Sequence, residues 1–148
     1  MAYNKYQYRK KSEASEQETI IALCKYKEQQ HPELKLLHHC PNGGTRNRIE
    51  AINLKRQGVK AGVSDLHLPV PKGAYASLYI ELKYGSNRLS DEQKQWLQNV
   101  AEYKNYAVTC YGADVAMKVI EEYINLKPGQ EMSIENNAII RPKPPERR

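Results

Sequence analysis

Residues 58–83 constrain the fold more than any other stretch of the chain. Two short apolar runs, at residues 66–70 and 78–82, flank a segment rich in turn formers at residues 71–74. Apolar runs of this length, bounded by proline and glycine, are typical of two paired strands joined by a turn. The sequence therefore predicts a sheet built around this pair.

Three charged side chains lie in or beside the predicted strands. Because successive side chains of a strand point to opposite faces, Glu81 and Lys83 are expected on one face and Leu82 on the other. Asp65 stands just before the first strand and lies beside Glu81 if the two strands pair. Two carboxylates and one ammonium group would then meet at one point of the sheet.

Helical and strand patterns alternate along the rest of the chain. Capping residues and apolar periodicity predict helices at residues 12–30, from 45 or 47 to about 57, at 90–103 and at 113–126. Two further strands are expected, at residues 34–40 and 106–111. This order predicts an α/β domain in which helices flank a mixed sheet of about four strands.

The net charge of +6 is unevenly distributed along the chain. Residues 1–11 carry +4 and residues 141–148 carry +3, which leaves −1 for everything between them. Basic ends of this kind attract nucleic acid phosphate, although they also serve simply to keep a protein in solution. We predict a basic flexible arm at residues 1–11, a folded domain at residues 12–127 and a proline-rich basic tail at residues 128–148.

Several classes of protein are disfavoured by the composition. No apolar run approaches the ~20 residues of a membrane span, and no signal peptide is visible, so a cytoplasmic location is expected. The cysteines are odd in number and widely spaced, at Cys24, Cys40 and Cys110. This pattern fits neither a disulfide framework nor a zinc site, so we expect buried thiols. The sequence contains no nucleotide-binding P-loop and no serine nucleophile elbow.

Asp65, Glu81 and Lys83 have the chemistry that phosphodiester hydrolysis needs. Two carboxylates and the main-chain carbonyl of Leu82 are hard oxygen ligands of the kind that hold Mg²⁺. A divalent cation activates water and neutralises developing charge, and Lys83 could orient that water. An ordinary strand with a surface ion pair has the same spacing, but the small residues before Asp65 favour close backbone approach and a functional site.

The order of motifs resembles the VRR-NUC domain, the virus-type replication and repair nuclease module of the PD-(D/E)xK superfamily, in its small stand-alone form. The resemblance runs from about residue 12 to residue 124. It rests on residues 39–44 (HCPNGG), 58–66 (GVKAGVSDL), 81–83 (ELK), 89–96 (LSDEQKQW) and 110–112 (CYG). Ser64 replaces the proline that usually precedes the aspartate, at a structural rather than catalytic position.

The resemblance implies a restriction-endonuclease-like fold and a Mg²⁺-dependent endodeoxyribonuclease, in which residues 12–127 form the nuclease domain. It implies that Asp65 and Glu81 hold Mg²⁺ or Mn²⁺ and that Lys83 is the catalytic lysine. It also implies a glutamine from the helix after the core motif and a glutamate from the first helix. Gln93 matches the glutamine, although its position also suits a helix-capping role.

Three glutamates compete for the first-helix position. The family's spacing, Glu-x-x-x-Gln before an apolar run, matches Glu13 and Gln17, and both share a helical stripe with Ile20. Glu16 lies close to that stripe, whereas Glu18 points further aside. We select Glu13 as the catalytic glutamate.

The predicted DNA-binding residues are Asn42, Gly43, Arg46 and Lys60. The first three belong to a glycine-containing loop that could present backbone amides and a guanidinium to phosphate, although an ordinary turn has the same composition. Lys60 stands just ahead of the metal-binding strand and could contact the cleaved strand. His39 and His67 could also line the site, since His67 shares a strand face with Asp65.

The preferred DNA structure follows from the resemblance alone. Compact members of this family imply a homodimer that cuts branched DNA, such as four-way (Holliday) junctions, in DNA repair, and two symmetry-related sites could nick two strands. A structure-tolerant endonuclease or nickase is the catalytic alternative. A non-catalytic nucleic-acid-binding module on the same fold is the alternative of another class. A phage source, acting inside a bacterial host cell, would fit the resemblance.

Overall fold

The computed structural model describes residues 10–41 and 47–147. The predicted DNA-binding residues Asn42, Gly43 and Arg46 lie outside the described residues. Among the helices of the described part, none combines the length and the apolar character needed to cross a bilayer.

Helices and strands follow one another in nearly the predicted order. The helices are α1 (Glu13–Lys27), α2 (Arg48–Arg56), α3 (Asp91–Glu102) and α4 (Ala113–Ile124). The strands are β1 (His38–His39), β2 (Leu66–Leu68), β3 (Leu78–Lys83), β4 (Tyr106–Tyr111) and β5 (Ile139–Ile140). A 3-10 helix, Pro32–Leu36, precedes β1.

The strands form one mixed sheet in the order β1-β2-β3-β4-β5. Strand β2 is antiparallel to both of its neighbours, β1 and β3, whereas β4 is parallel to β3 and β5 is parallel to β4. Leu66 lies opposite Ile80 and Leu68 lies opposite Leu78, so the central pair forms as the sequence predicts. The predicted α/β class is confirmed, with five strands in place of about four.

Helices cover both faces of the sheet. On one face the main core joins α1, α4 and alternate strand residues, and its members include Ile20, Cys24, Leu66, Ile80, Leu82, Val108 and Ile120. On the other face α3 packs against β4. All six residues of β4 are buried, as expected for a strand with helices on both sides. Cys24 and Cys110 are free, buried thiols, whereas Cys40 is only partly buried.

Two segments differ from the prediction made from sequence. The strand predicted at residues 34–40 is reduced to His38–His39, because the preceding residues form the 3-10 helix and bury Leu34 in the core. The fifth strand comes from the predicted C-terminal tail, where Ile140 pairs with Cys110 of β4 and packs against the core. Short apolar runs do not distinguish a strand from a buried turn, which explains both differences.

The start of α1 also differs in detail. The Ser12 hydroxyl accepts the Ser15 amide at 3.2 Å, and the Ser15 hydroxyl accepts the Ser12 amide at 2.8 Å. A capping box at Ser15 and Glu18 also matches the sequence pattern, but the observed box begins three residues earlier, at Ser12. It places Glu13 in the first turn of the helix.

Candidate active site

Asp65 and Glu81 meet where the pairing of β2 and β3 continues past the end of β2. Extending the register by one residue places Asp65 opposite Glu81. The Asp65 Oδ2 atom accepts the Leu82 backbone amide at 2.8 Å. The Asp65 carbonyl accepts the Cys40 amide at 2.8 Å and lies 2.7 Å from His39 Nδ1. Backbone groups on both sides therefore fix Asp65 beside β3.

Glu81 is a buried carboxylate with one hydrogen-bonded oxygen. Its Oε1 accepts a hydrogen bond from Gln93 Nε2 at 3.0 Å and lies 3.7 Å from Lys83 Nζ. Its Oε2 is buried and has no hydrogen-bond partner among the described residues. Burial raises the pKa of Glu81 well above its ordinary value. The negative charge of Asp65 and a hydrogen bond between the two carboxyl groups raise it further, while Lys83 opposes the shift.

The unpartnered oxygen of Glu81 suits a divalent cation. Asp65 and Leu82 line the cleft of the site, and Glu81 lies opposite Asp65 on the neighbouring strand. Two carboxylates and the carbonyl of Leu82 would be hard oxygen donors, which Mg²⁺ prefers. Within residues 10–41 and 47–147, no three His, Cys, Asp or Glu side chains are grouped closely enough to enclose a metal by themselves. A cation held by Asp65 and Glu81 would have to keep several waters, as Mg²⁺ usually does in proteins.

Lys83 is the buried cation of the site. Its side chain is only 9% exposed, and Nζ lies 3.7 Å from Glu81 Oε1 and 4.0 Å from Glu13 Oε1. The Lys83 carbonyl accepts the Gly112 amide at 3.0 Å, which joins the end of β3 to the start of α4. Two carboxylates and a fixed strand end thus determine where the ammonium group lies.

Glu13 approaches the site from the first turn of α1. Besides its contact with Lys83, its Oε1 accepts a hydrogen bond from Asn87 Nδ2 at 3.0 Å. It lines a cleft of about 290 Å³ together with Asp65. Glu16 instead lines a larger cleft of about 670 Å³ that does not include Asp65. Of these two glutamates, the structure brings Glu13 to Asp65 and Glu81, which we call the acid pair. The catalytic role of Glu13 stays a prediction.

Gln93 makes two kinds of contact at once. At the third position of α3, its Oε1 accepts the Ser90 amide at 2.9 Å, and the Ser90 hydroxyl accepts the Gln93 amide at 3.2 Å. This capping box leaves Nε2 directed at Glu81 Oε1. From the sequence alone, helix capping and a contact in the site are alternative roles for Gln93. In the structure, one side chain makes both contacts.

The loop before Asp65 packs tightly against the same helix. Gly62 has a φ of 80°, and a Cβ at this position would lie 2.3 Å from the backbone oxygen of Glu92. Only glycine tolerates such an approach, which explains the small residues that precede the aspartate. The loop that positions Asp65 is thereby fixed to the first turn of α3, which carries Gln93.

Lys60 and His67 lie beside the acid pair rather than within it. Lys60 lines a neighbouring groove together with Trp96. The His67 ring stacks on Tyr79 with centroids 4.1 Å apart, and it does not line the cleft at Asp65. Lys60 remains a predicted DNA contact, whereas His67 takes part in an aromatic cluster.

Asn87 is a site residue that sequence reasoning missed. Its side chain donates a hydrogen bond to Glu13, and its backbone carbonyl accepts one from the Tyr111 hydroxyl. Both the side chain and the backbone of Asn87 therefore hold the loop between β3 and α3 in place. In the sequence it belongs to a Gly-Ser-Asn turn, where asparagine is ordinary. Only the docking of α1 beside this loop reveals its role.

Similarity to known proteins was found at the levels of family and fold. The VRR-NUC domain family matches residues 2–114 of the chain. A solved structure described as a VRR_NUC domain protein superposes with a TM-score of 0.70 at 30% sequence identity. That match covers 81% of this chain and 93% of the solved protein. No match was found among curated proteins.

Proposed function

The chain belongs to the VRR-NUC domain family, and from this membership and the site geometry we propose that it is a metal-dependent DNA endonuclease. The observation that carries the proposal is the acid pair: burial and the Asp65 carboxyl raise the pKa of Glu81, and no N–H donor of the described residues reaches its Oε2. Two ionised carboxylates at such a place are costly, and a bound cation removes that cost.

Asp65, Glu81 and the Leu82 carbonyl would hold the divalent cation, Mg²⁺ or Mn²⁺. When bound, such a cation supplies an activated water and positive charge for the phosphoryl oxygens. Gln93 occupies Oε1 of Glu81, which would leave Oε2 available to the cation. The Leu82 amide holds Asp65 in the same way through Oδ2.

Lys83 and Glu13 would act on the attacking water and on the charge of the transition state. The Lys83 ammonium, between Glu81 and Glu13, is placed to orient the attacking water and to offset negative charge in the transition state. Glu13 accepts from Asn87 and contacts Lys83 only at 4.0 Å, so its carboxylate keeps capacity to accept a proton from water. The proposed reaction is hydrolysis of a DNA phosphodiester.

We further propose branched DNA, such as a four-way junction, as the substrate and a homodimer as the active form. A symmetric dimer would bring one site to each of two strands. Helix α2 buries none of its residues, and Ile49 and Ile52 on it are 73% and 44% exposed. This apolar surface would suit contact with a second copy of the chain, and sedimentation would detect the dimer.

A substrate panel tests the proposal. Linear duplex, single strand, flap, fork and four-way junction are incubated with Mg²⁺, Mn²⁺ or a chelator, and the products are mapped. We expect cleavage only with metal, and paired symmetric nicks in the junction. Equal cutting of linear duplex would instead indicate a structure-tolerant endonuclease. Binding without cleavage in either metal would leave a non-catalytic binding module.

A further inference from the structure

A groove beside the active site has no part in the proposed chemistry. We call it the aromatic groove and define it by His38, His39, Lys60 and Trp96, which line a cavity of about 490 Å³. The loop before Asp65 forms one of its walls, and α3 contributes Trp96 to another.

A row of four aromatic rings connects His38 and Trp96, two of the residues that line the aromatic groove. His38 and His67 meet edge to face at 5.4 Å, His67 stacks on Tyr79 at 4.1 Å, and Tyr79 meets Trp96 edge to face at 5.9 Å. His38, His67 and Tyr79 are neighbours across β1, β2 and β3, so they share one sheet face. None of the four rings is fully buried.

The charge around the aromatic groove suits a polyanion. Lys60 lines it, and none of the described residues that line it is an aspartate or glutamate. The segment that forms α2 and leads into the groove has four basic residues and one acidic residue, which are Arg48, Lys55, Arg56, Lys60 and Glu50. Residues 48–60 therefore carry +3, although residues 12–140 as a whole carry −1. Positive charge is concentrated beside an acidic site.

The aromatic groove is continuous with the active site. His39 and Pro41 line both the groove and the cleft that contains Asp65. Tyr79 stands two residues before Glu81 on β3, so its ring lies on the same sheet face as the Glu81 carboxylate. A chain lying in the groove would pass directly to the acid pair.

We propose that the aromatic groove binds an unpaired, single-stranded segment of the nucleic acid substrate, next to the phosphodiester that is cut. The proposal rests on the proposed nuclease function and adds a structural feature of the substrate: in a four-way junction, whose arms are paired, the unpaired bases would be those opened at the branch point. Unpaired bases expose faces that stack on aromatic side chains, whereas bases in a duplex stack on one another. Lys60 contacts the backbone phosphate of the same segment.

The single tryptophan of the chain provides a direct test. Trp96 emission is followed while the full-length protein, in a chelator to prevent cleavage, is titrated with a single-stranded DNA oligonucleotide or with a blunt duplex of the same sequence. We expect saturable quenching by the single strand and at least about five-fold weaker binding of the blunt duplex, since only unpaired bases reach the rings.

Two variants locate the binding within the groove. His38→Ala should weaken single-strand binding by about five-fold or more, through lost stacking. Lys60→Ala should weaken it and reduce the slope of log K against log salt by about one, through one lost phosphate contact. Lys127→Ala removes an exposed lysine beyond the far end of α4 and should behave as wild type.

Three results would overturn the proposal: unchanged Trp96 emission at saturating single strand, equal quenching by the blunt duplex, or no difference among the three variants. Lys60 is exposed, so its variant remains informative if His38→Ala fails to fold. Quenching by the single strand, with no cleavage of any substrate of the panel in Mg²⁺ or Mn²⁺, would support the groove and reject the nuclease function. Cleavage of a panel substrate without quenching by the single strand would support the nuclease function and reject the groove.

Discussion

Gln93 donates a hydrogen bond through Nε2 to Glu81 Oε1 at 3.0 Å, while its Oε1 closes the capping box of α3 with Ser90. The start of a surface helix and the position of a buried carboxylate therefore depend on one side chain. Because Gln93 occupies only one oxygen of Glu81, the second oxygen stays available to a cation.

The two roles of Gln93 can be separated by substitution. Gln93→Glu preserves an acceptor for the Ser90 amide but places a carboxylate against Glu81, so we expect cleavage to fall by about 10²-fold with the fold retained. Ser90→Ala removes only the cap and should cost about 1 kcal/mol of stability, with cleavage intact at permissive temperature. Cleavage rates and thermal unfolding of both variants check this. Equal activity losses in the two variants would contradict it.

Lys83→Ala should abolish most cleavage without abolishing DNA binding. The ammonium offsets charge in the transition state, and losing such a contact costs about 10²–10³-fold in rate. Single-turnover cleavage and binding to the same junction are measured in parallel, with exposed Lys127→Ala as the charge-matched control. A Lys83→Ala protein that cleaves at the control rate would remove this lysine from the mechanism.

Glu13 and Glu16, on the same helix turn, make a matched pair. Glu13→Gln alters the carboxylate at Lys83 and should reduce cleavage by about 10²-fold, within the range for a general base. Glu16→Gln changes a residue that lines the larger cleft, which does not include Asp65. This variant should keep a cleavage rate within a few-fold of wild type. Cleavage rates in Mg²⁺ decide between them. The opposite ranking would assign the helix carboxylate to Glu16.

The metal-free protein should lose stability as pH rises, because of Glu81. The pKa of Glu81 is higher in the folded state than its ordinary value of 4.5. Below pH 4.5 the group is neutral in both the folded and the unfolded state. As pH rises from there through the folded-state pKa, ionisation favours the unfolded state and the free energy of unfolding falls. Glu81→Gln should therefore be more stable than wild type at mildly alkaline pH by at least about 1.4 kcal/mol, the equivalent of one pKa unit, with no gain in acid. Urea unfolding in a chelator measures this. A pH-independent difference would refute the assignment.

Mg²⁺ should stabilise the wild-type protein. With the metal present, wild type should therefore be more stable than Glu81→Gln at mildly alkaline pH. A ligand that binds only the folded state adds about 2.7 kcal/mol at a hundred times its dissociation constant. Glu81→Gln and Asp65→Asn lack one anionic ligand and should gain much less. Thermal unfolding at increasing Mg²⁺ shows the effect, and Ser90→Ala, with both ligands intact, should gain as much as wild type. Equal gains in all variants would place the cation elsewhere.

The acid pair and its lysine could be predicted from sequence because local rules determine them. Alternation along β3 puts Glu81 and Lys83 on one face, and antiparallel pairing brings Asp65 opposite Glu81. Prediction fails where the apolar run is short. Leu34 is predicted in a strand but lies in a 3-10 helix. Strand β5, which has only two residues, is not predicted. Helix α2 forms where the sequence predicts a helix, although none of its residues is buried.

The sequence by itself determined which side chains follow one another on a strand or at a helix start, since these depend on neighbours a few residues apart. The tertiary structure alone decided the rest. The docking of α1 brings Glu13 to Lys83 and Asn87, and the docking of α3 directs Gln93 at Glu81. Such contacts join residues distant in the chain, and no local pattern specifies the distance between two elements packed on the same sheet.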